Sequence, residues 1–108
     1  MNESRKPTEF ENAVYDAVRL IPAGKVASYG RIAAQISRGT ARAVGTALAK
    51  NPFAPEVPCH RVVRSDGALG GFYGATQGPR LMEKSDMLRR EGVPFDVTGK
   101  VDPSAFVD

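Results

Sequence analysis

The sequence predicts a mainly α-helical domain with a small β-hairpin, built around a helix-turn-helix. Apolar residues recur at helical intervals in several short segments, and a capping residue opens each of the first three. Two of these segments are joined by a tight, glycine-containing turn at 37–39, which is the outline of a helix-turn-helix. A short apolar strand at 62–63 precedes an Asp-Gly pair at 66–67, a frequent hairpin turn.

The first predicted helix begins at Thr8 and is stopped by the Pro-Ala-Gly segment 22–24. Thr8 and Glu11 have the spacing of a capping box, in which each residue satisfies a backbone N–H of the other. Proline and glycine together interrupt a helix, so the stop signal is strong. The apolar face of this helix carries one residue every three or four positions: Phe10, Val14, Val18 and Ile21.

The other helices follow from capping residues and from proline and glycine. Ser28 opens the second helix, and Thr40 opens a third that ends at the Asn-Pro pair 51–52. Pro79 suits the first turn of a last helix, because its missing N–H would be unpaired there in any case. Gly92 is placed to end that helix.

Residues 67–78 contain five glycines, and we interpret them as a mobile loop that can close over a ligand. Residues 1–7 are predicted to be a flexible tail, and residues 93–108 to be mostly irregular. The chain is 42% hydrophobic and 25% charged over 108 residues, which is the profile of one globular domain. It contains no apolar run near the ~20 residues that span a bilayer and no signal-peptide core. We therefore expect an intracellular protein with no membrane partner.

Positive charge is concentrated in the middle of the chain. From Arg19 to Arg64 there are eight basic residues and one acid, Glu56, a formal charge of +7, whereas the whole chain carries +3. A segment this basic favours a polyanionic partner, most simply nucleic acid. A solvated basic surface and an ordinary helical hairpin remain open as alternatives to a DNA-binding helix-turn-helix.

The third helix is rich in small residues. Between positions 41 and 49 it contains four alanines and Gly45, while Val44 and Leu48 supply an apolar face. Small side chains let a helix backbone approach another surface closely, and that surface is either another helix or DNA. Arg42 lies in the first turn, where the helix dipole also attracts anions, and it favours DNA.

The single cysteine, Cys59, is followed directly by the single histidine, His60. One cysteine forms no internal disulfide, and this pair alone does not make up a zinc site. Positive charge from His60, Arg61 and Arg64 would favour the thiolate, which is the reactive form of cysteine. His60 could take the thiol proton, and Glu91 could orient His60 as the third member of a triad. The alternative is that Cys59 is a small buried hydrophobe.

Residues 58–62, Pro-Cys-His-Arg-Val, resemble the active-site hallmark of the O6-alkylguanine-DNA alkyltransferases. The resemblance covers residues 8–95 and keeps the order of the family's motifs. It implies the winged helix-turn-helix-like fold of the alkyltransferase C-terminal domain, with residues 1–108 forming a single DNA-binding and alkyltransferase domain. The further matching blocks are 21–30 at the entry to the helix-turn-helix, 41–45 in the recognition helix, 67–74 in the active-site loop and 88–92 in the closing helix.

The resemblance also implies a reaction and its residues. Cys59 would take an alkyl group from O6-alkylguanine in DNA and would be consumed, with no cofactor and no metal. His60 and Glu91 would activate it, with a water between His60 and the thiol. The backbone around Cys59 and Val62 would read the guanine edge. Tyr73 is the nearest candidate in this sequence for a contact with the alkylated oxygen.

The DNA-binding residues implied by the resemblance lie on the helix-turn-helix. Tyr29 would crowd the phosphate, assist rotation of the nucleotide and donate a proton to the base. Arg42 would enter the base stack and fill the space left by the rotated guanine, since a base must leave the stack to react. Ala41 and Gly45 belong to the DNA-binding face of the same helix. Asn51 would tie that helix to the active site.

Two other functions compete with repair. Alkyltransferase-like proteins resemble this chain in length and bind alkylguanine, but they recruit another repair pathway and typically replace the cysteine, often with tryptophan. This chain has Cys59 and no tryptophan. A plain helix-turn-helix regulator would explain the basic segment but not residues 58–62. Many family members carry an additional N-terminal domain, with zinc in some of them, and we expect this chain to lack it. The expected partner is double-stranded DNA containing O6-alkylguanine, bound by a monomer.

Overall fold

The computed structural model describes residues 6–107. The flexible tail predicted for residues 1–7 falls mostly on residues 1–5, outside the described part of the chain. The described residues form four α-helices, a two-stranded sheet and two 3-10 turns. In chain order these are α1 (Glu9–Arg19), β1 (Ala27–Ser28), α2 (Tyr29–Ile36), α3 (Ala41–Ala49), the 3-10 turn Cys59–Arg61, β2 (Val62–Val63), α4 (Pro79–Arg90) and the 3-10 turn Pro103–Ala105.

The predicted helix starts are confirmed by their capping contacts. The Thr8 hydroxyl accepts a hydrogen bond from the Glu11 N–H at 3.0 Å, and the Glu11 carboxylate accepts one from the Thr8 N–H at 2.9 Å. Ser28 and Thr40 cap α2 and α3 in the same way, each accepting from the N–H three residues on. Pro79 occupies the first turn of α4. The ends are shorter than predicted, since α1 stops at Arg19 and α3 stops at Ala49.

Helices α2 and α3 form the predicted helix-turn-helix, joined by residues 37–40. Gly39 has a φ of +78°, a conformation that favours glycine, and a Cβ there would lie 2.6 Å from the Phe10 ring, which would have to shift. Val44 and Leu48 face the core, as the sequence predicts. The Tyr15 hydroxyl donates to the Ala47 carbonyl at 2.8 Å and fixes α3 against α1.

The predicted β-hairpin is wrong, because β2 pairs in parallel with β1 rather than with the chain that follows it. The register places Ala27 opposite Val62. A tight turn does form at 66–67, closed by a 2.9 Å bond from the Gly67 N–H to the Arg64 carbonyl. The Lys84 ammonium connects β2 to the chain that follows this turn, because it donates to the carbonyls of Val62, Leu69 and Gly71.

The segment after α4 has little regular structure, as predicted, but it packs firmly against the domain. Val26 donates to the Ala105 carbonyl at 2.9 Å, and Val107 donates to the Val26 carbonyl at 2.8 Å. Val101 and Ala105 are buried in a second apolar cluster. This segment therefore flanks β1 and supports the start of α2, where Tyr29 lies.

Candidate active site and DNA-facing cavity

A cavity of about 440 Å³ lies between α3 and the loop 71–76, with Cys59 in its wall. Helix α2 adds Tyr29 to the lining. The structure thus brings together residues from four separated parts of the sequence. Of the residues predicted from the sequence, those that line the cavity are Tyr29, Ala41, Arg42, Gly45, Cys59 and Tyr73.

Cys59 is held in its position by the backbone on both sides. It begins a 3-10 turn directly after Pro58, and its side chain is mostly buried, with 6% of the residue exposed. Asn51, predicted to connect the recognition helix to the active site, donates from its side-chain amide to the Val57 carbonyl at 3.0 Å. Its side-chain oxygen accepts from the Phe53 N–H at 2.9 Å. Asn51 therefore fixes the segment between α3 and Cys59.

Behind Cys59, two residues of its own 3-10 turn meet one carboxylate from the end of α4. His60 Nε2 lies 2.9 Å from Glu91 Oε2, so the predicted contact between these residues is present. Arg61 grips the same carboxylate at two points, from Nε to Oε1 at 3.0 Å and from Nη2 to Oε2 at 2.7 Å. This second contact was not predicted from the sequence, where Arg61 counts only as positive charge near Cys59.

The protonation of this cluster follows from burial and from its hydrogen bonds. Burial lowers the pKa of His60, and the opposing effect of Glu91 does not fully compensate. Burial raises the pKa of Glu91, but hydrogen bonds from Arg61 and His60 outweigh that effect and leave it below its usual range. At neutral pH the arrangement favours a carboxylate beside a neutral imidazole.

Lys84 is a site residue whose role sequence reasoning missed. It is completely buried, and its ammonium donates to the carbonyls of Val62, Leu69 and Gly71 at 2.6–2.8 Å. Burial lowers its pKa to about 7, while the three acceptors match the three N–H bonds of the charged form. The available signal was a lysine at a core position of the apolar stripe of α4. Lys84 joins the active-site loop to β2, where Val62 lies.

Two tyrosines contribute phenol groups around the cavity. The Tyr29 hydroxyl lies 3.4 Å from both the Gly71 carbonyl and the Lys84 ammonium, and burial raises its pKa. Tyr73 has a φ of +51°, packs against Phe72 with ring centroids 4.5 Å apart, and has the Arg80 guanidinium 4.9 Å from its ring centre. Its pKa is raised by burial and by the nearby Cys59. Both phenols therefore remain protonated at neutral pH.

The outer face of α3 is open to solvent. Ala41 and Arg42 are exposed at the cavity rim, and Gly45 is half-buried beside the Tyr29 ring. Part of the positive charge of the basic segment is already neutralised within the domain, because Arg61 forms an ion pair with Glu91 and Arg19 pairs with Asp16 and Glu56. Six further basic side chains of the segment are exposed: Lys25, Arg31, Arg38, Arg42, Lys50 and Arg64. Of these, Arg38, Lys50 and Arg64 make longer ion pairs of 3.7–3.8 Å with acidic side chains.

Residues 6–107 contain neither a cluster of metal-ligating side chains nor a membrane-spanning helix. No group of three or more His, Cys, Asp or Glu side chains in this range is arranged to hold a metal ion. No helix in it is long and apolar enough to cross a membrane.

A family model described as "6-O-methylguanine DNA methyltransferase, DNA binding domain" matches residues 9–93. The chain belongs to this family. Among the curated members, the methylated-DNA–protein-cysteine methyltransferase of Salmonella typhimurium is 46% identical over 86 residues, which cover 79% of this chain and 47% of the relative. The methyltransferase of the same name from Mycobacterium tuberculosis is 42% identical over 92 residues, covering 84% and 54%. The chain thus spans about half the length of these relatives.

Solved structures of the methyltransferase family have the same fold. The crystal structure of Mycobacterium tuberculosis OGT in complex with DNA superposes with a TM-score of 0.72 at 42% identity, covering 81% of this chain and 51% of that one. The crystal structure of S. pombe Atl1 in complex with damaged DNA containing O6-carboxymethylguanine gives 0.76 at 33% identity, covering 93% and 95%. The mainly α fold inferred from the sequence is therefore confirmed, with a parallel pair of strands in place of the hairpin.

Proposed function

We propose that this domain repairs O6-alkylguanine in double-stranded DNA by taking the alkyl group onto Cys59. The observation that carries the proposal is the position of Cys59 in the wall of a cavity that opens beside the exposed face of α3. Family membership and relatives named methylated-DNA–protein-cysteine methyltransferase support the same reaction. We expect the domain to act as a monomer inside the cell.

The proposed substrate is a base rotated out of the duplex. A stacked base cannot reach Cys59, whereas a cavity of about 440 Å³ is within the usual range for small-molecule sites. Arg42 lies at the rim, where it would fill the gap left in the base stack. Tyr29 would crowd the adjoining phosphate, and the small residues Ala41 and Gly45 would let α3 approach the shallow minor groove.

The proposed chemistry is a direct displacement. Glu91 holds His60 through Nε2, so the other ring nitrogen, Nδ1, would take the Cys59 proton through a bridging water. The thiolate sulfur would then attack the alkyl carbon, forming a C–S bond as the C–O bond breaks. The electron pair stays on guanine, and a proton from Tyr29 to a ring nitrogen would let it leave as a neutral base. The thioether is stable, so each chain would react once, without a cofactor.

The remaining proposed contacts concern recognition of the base. The backbone at Cys59 and Val62 would read the guanine edge. Tyr73 would contact the alkylated oxygen, since it lines the cavity and its neutral phenol lies close to Cys59. Lys84 donates to the carbonyls of both Val62 and Gly71, and would therefore fix the position of the β2 backbone relative to the loop that lines the cavity.

A second candidate is a protein that binds the lesion without repairing it and recruits another pathway. It is supported by the similarity to Atl1, whose structure with damaged DNA superposes with a TM-score of 0.76 at 33% identity. The presence of Cys59 beside the His60–Glu91 pair favours repair, because a protein that only flags the lesion has no use for an activated thiol.

The two candidates differ in what happens to the DNA. A duplex with one O6-methylguanine is incubated with increasing amounts of protein, and the remaining lesion is counted. Repair predicts that one lesion becomes guanine for each chain added, with no further turnover. Retention of the lesion in tightly bound duplex would instead establish the flagging candidate.

A further inference from the structure

Arg61 makes contacts that the Cys59–His60–Glu91 scheme does not use. Its guanidinium donates twice to the Glu91 carboxylate and once, from Nη1, to the Ile21 carbonyl at 2.7 Å. Two-point pairing between arginine and a carboxylate is the geometry that best fixes orientation. Because Ile21 belongs to the segment after α1, Arg61 anchors Glu91 to a part of the domain outside α4.

Arg61 and His60 bind the same oxygen of Glu91. His60 Nε2 lies 2.9 Å and Arg61 Nη2 lies 2.7 Å from Oε2. A half-buried carboxylate with only a histidine beside it would be balanced best by a charged imidazolium, which has no nitrogen left to accept a proton. Arginine stays charged at all relevant pH values, so it can balance Glu91 without using the imidazole.

We propose that Arg61 is a positioning residue that holds the Glu91 carboxylate ionised and aimed at His60, so that His60 remains a neutral base for Cys59. This inference rests on the proposed alkyl transfer to Cys59. It makes the Cys59 segment and the end of α4 a four-residue unit, in which Arg61 acts through Glu91 and His60 and touches neither the thiol nor the base.

Removal of the Arg61 charge should raise the pKa of His60. The charged groups that act on His60 are Glu91 and Lys84 from α4 and Arg61 from its own 3-10 turn. Burial, Arg61 and Lys84 lower the pKa of His60, whereas Glu91 raises it. Loss of the Arg61 charge leaves Glu91 less opposed, so the imidazole should hold its proton to higher pH.

His60 is the only histidine in the chain, so its titration can be followed directly by NMR of the imidazole signals. In Arg61→Gln the titration should move to higher pH than in the wild type. In Arg61→Lys, which keeps the charge but loses the two-point grip, it should lie between the two. Arg64→Gln is the matched control, because Arg64 is an exposed basic residue of the same segment that pairs with Asp66 rather than Glu91, and it should leave the His60 titration unchanged.

The second readout is the rate of transfer to free O6-benzylguanine as a function of pH. Arg61→Gln should be slower than the wild type on the acid side of neutrality and approach it at higher pH, since only neutral His60 can accept the thiol proton. Lys84, with a pKa of about 7, can also shape this rate profile. The histidine titration is therefore the deciding measurement.

A folded Arg61→Gln whose His60 titration does not move upward would overturn the proposal. If Arg61→Gln does not fold, Arg61→Lys carries the test, and an unmoved titration in that variant overturns it equally. If His60 moves as predicted but the wild type transfers no alkyl group, the coupling through Glu91 stands and the proposed function fails. The two claims can thus fail separately.

Discussion

Arg42 and Arg61 belong to the same basic segment but lie in different environments. Arg42 is exposed at the cavity rim on the first turn of α3, whereas Arg61 is held by Glu91 and Ile21. The sequence alone could place Arg42 on a DNA-facing helix, because small residues surround it. The sequence could not show that Arg61 is bound by a carboxylate whereas Arg42 is exposed, since Glu91 lies 30 residues from Arg61.

We expect Arg42→Ala to slow repair of O6-methylguanine in duplex DNA far more than reaction with free O6-benzylguanine. Holding a base out of the stack costs a few kcal/mol, and about 1.4 kcal/mol corresponds to a tenfold change, so a tenfold or greater loss on duplex is expected. Single-turnover rates on both substrates measure it. Arg90→Ala, at an exposed position outside the cavity lining, is the control and should change neither rate. Equal losses on both substrates in Arg42→Ala would exclude a role in base flipping.

At the same scale, the contacts of the active-site residues were only partly predictable. Cys59 and His60 are adjacent, so their sequence signal is local. Glu91 could be named as a partner of His60 from its chemistry and from the family resemblance, but a separation of 31 positions could not show the contact. The position of Lys84 on the apolar stripe of α4 indicated that it is buried, but not what it binds, because its partners are backbone carbonyls and any residue type could supply them.

At Gly45 in α3, helix stability and the proposed DNA binding favour different residues. Gly45 is in the middle of this helix, and an added Cβ would meet the Tyr29 ring at 3.8 Å, which is ordinary contact distance. Nothing in the packing requires glycine there. A glycine at this position suits the proposed close approach of α3 to DNA.

We predict that Gly45→Ala stabilises the domain by up to about 1 kcal/mol, the usual helix-propensity difference, and weakens binding to lesion-containing duplex. Urea unfolding and duplex affinity are the two measurements. Gly30→Ala in α2 is the matched control, since a Cβ there meets nothing within 4 Å and Gly30 does not line the cavity. If both variants bind DNA equally well, the close approach of α3 at Gly45 is wrong.

The elements themselves were predicted well where local capping decides them and poorly where distant pairing does. Thr8, Ser28 and Thr40 each cap the helix expected from the sequence. The hairpin was wrong because strand partners depend on tertiary contacts. Val62 pairs with Ala27, 35 positions earlier in the chain, and its carbonyl accepts a hydrogen bond from the buried Lys84.

Over the whole molecule, the distribution of charge governs how the domain would meet DNA. The central segment has a formal charge of +7 in the sequence, but close ion pairs to Glu91, Asp16 and Glu56 engage two of its arginines, Arg61 and Arg19. Three other basic residues of the segment make longer ion pairs of 3.7–3.8 Å and stay exposed. The remaining exposed basic residues and the short, nonpolar side chains of α3 favour binding through phosphates with little sequence preference.

We therefore expect duplex affinity to fall steeply with salt and to depend little on flanking sequence. Lys25→Gln and Arg38→Gln should each reduce the slope of log affinity against log salt by about the amount that one phosphate contact contributes. Arg19→Gln should reduce it less, because Arg19 is bound closely by Asp16 at 2.7 Å and Glu56 at 3.2 Å, whereas Arg38 has one longer ion pair, to Glu9 at 3.7 Å. Affinities across a salt series for several duplexes, with and without the lesion, test this. A salt-independent affinity or a strong preference for one unmodified sequence would instead favour a regulator.

Intact-mass measurement of the protein shows whether Cys59 receives the alkyl group. The wild type and Cys59→Ala are each incubated with duplex containing O6-methylguanine, and folding and DNA binding are checked in parallel. We expect the wild type to gain the mass of one methyl group, located on the peptide that contains Cys59, and Cys59→Ala to gain none. A wild-type protein that folds and binds the lesion but keeps its original mass would show that Cys59 is not an alkyl acceptor.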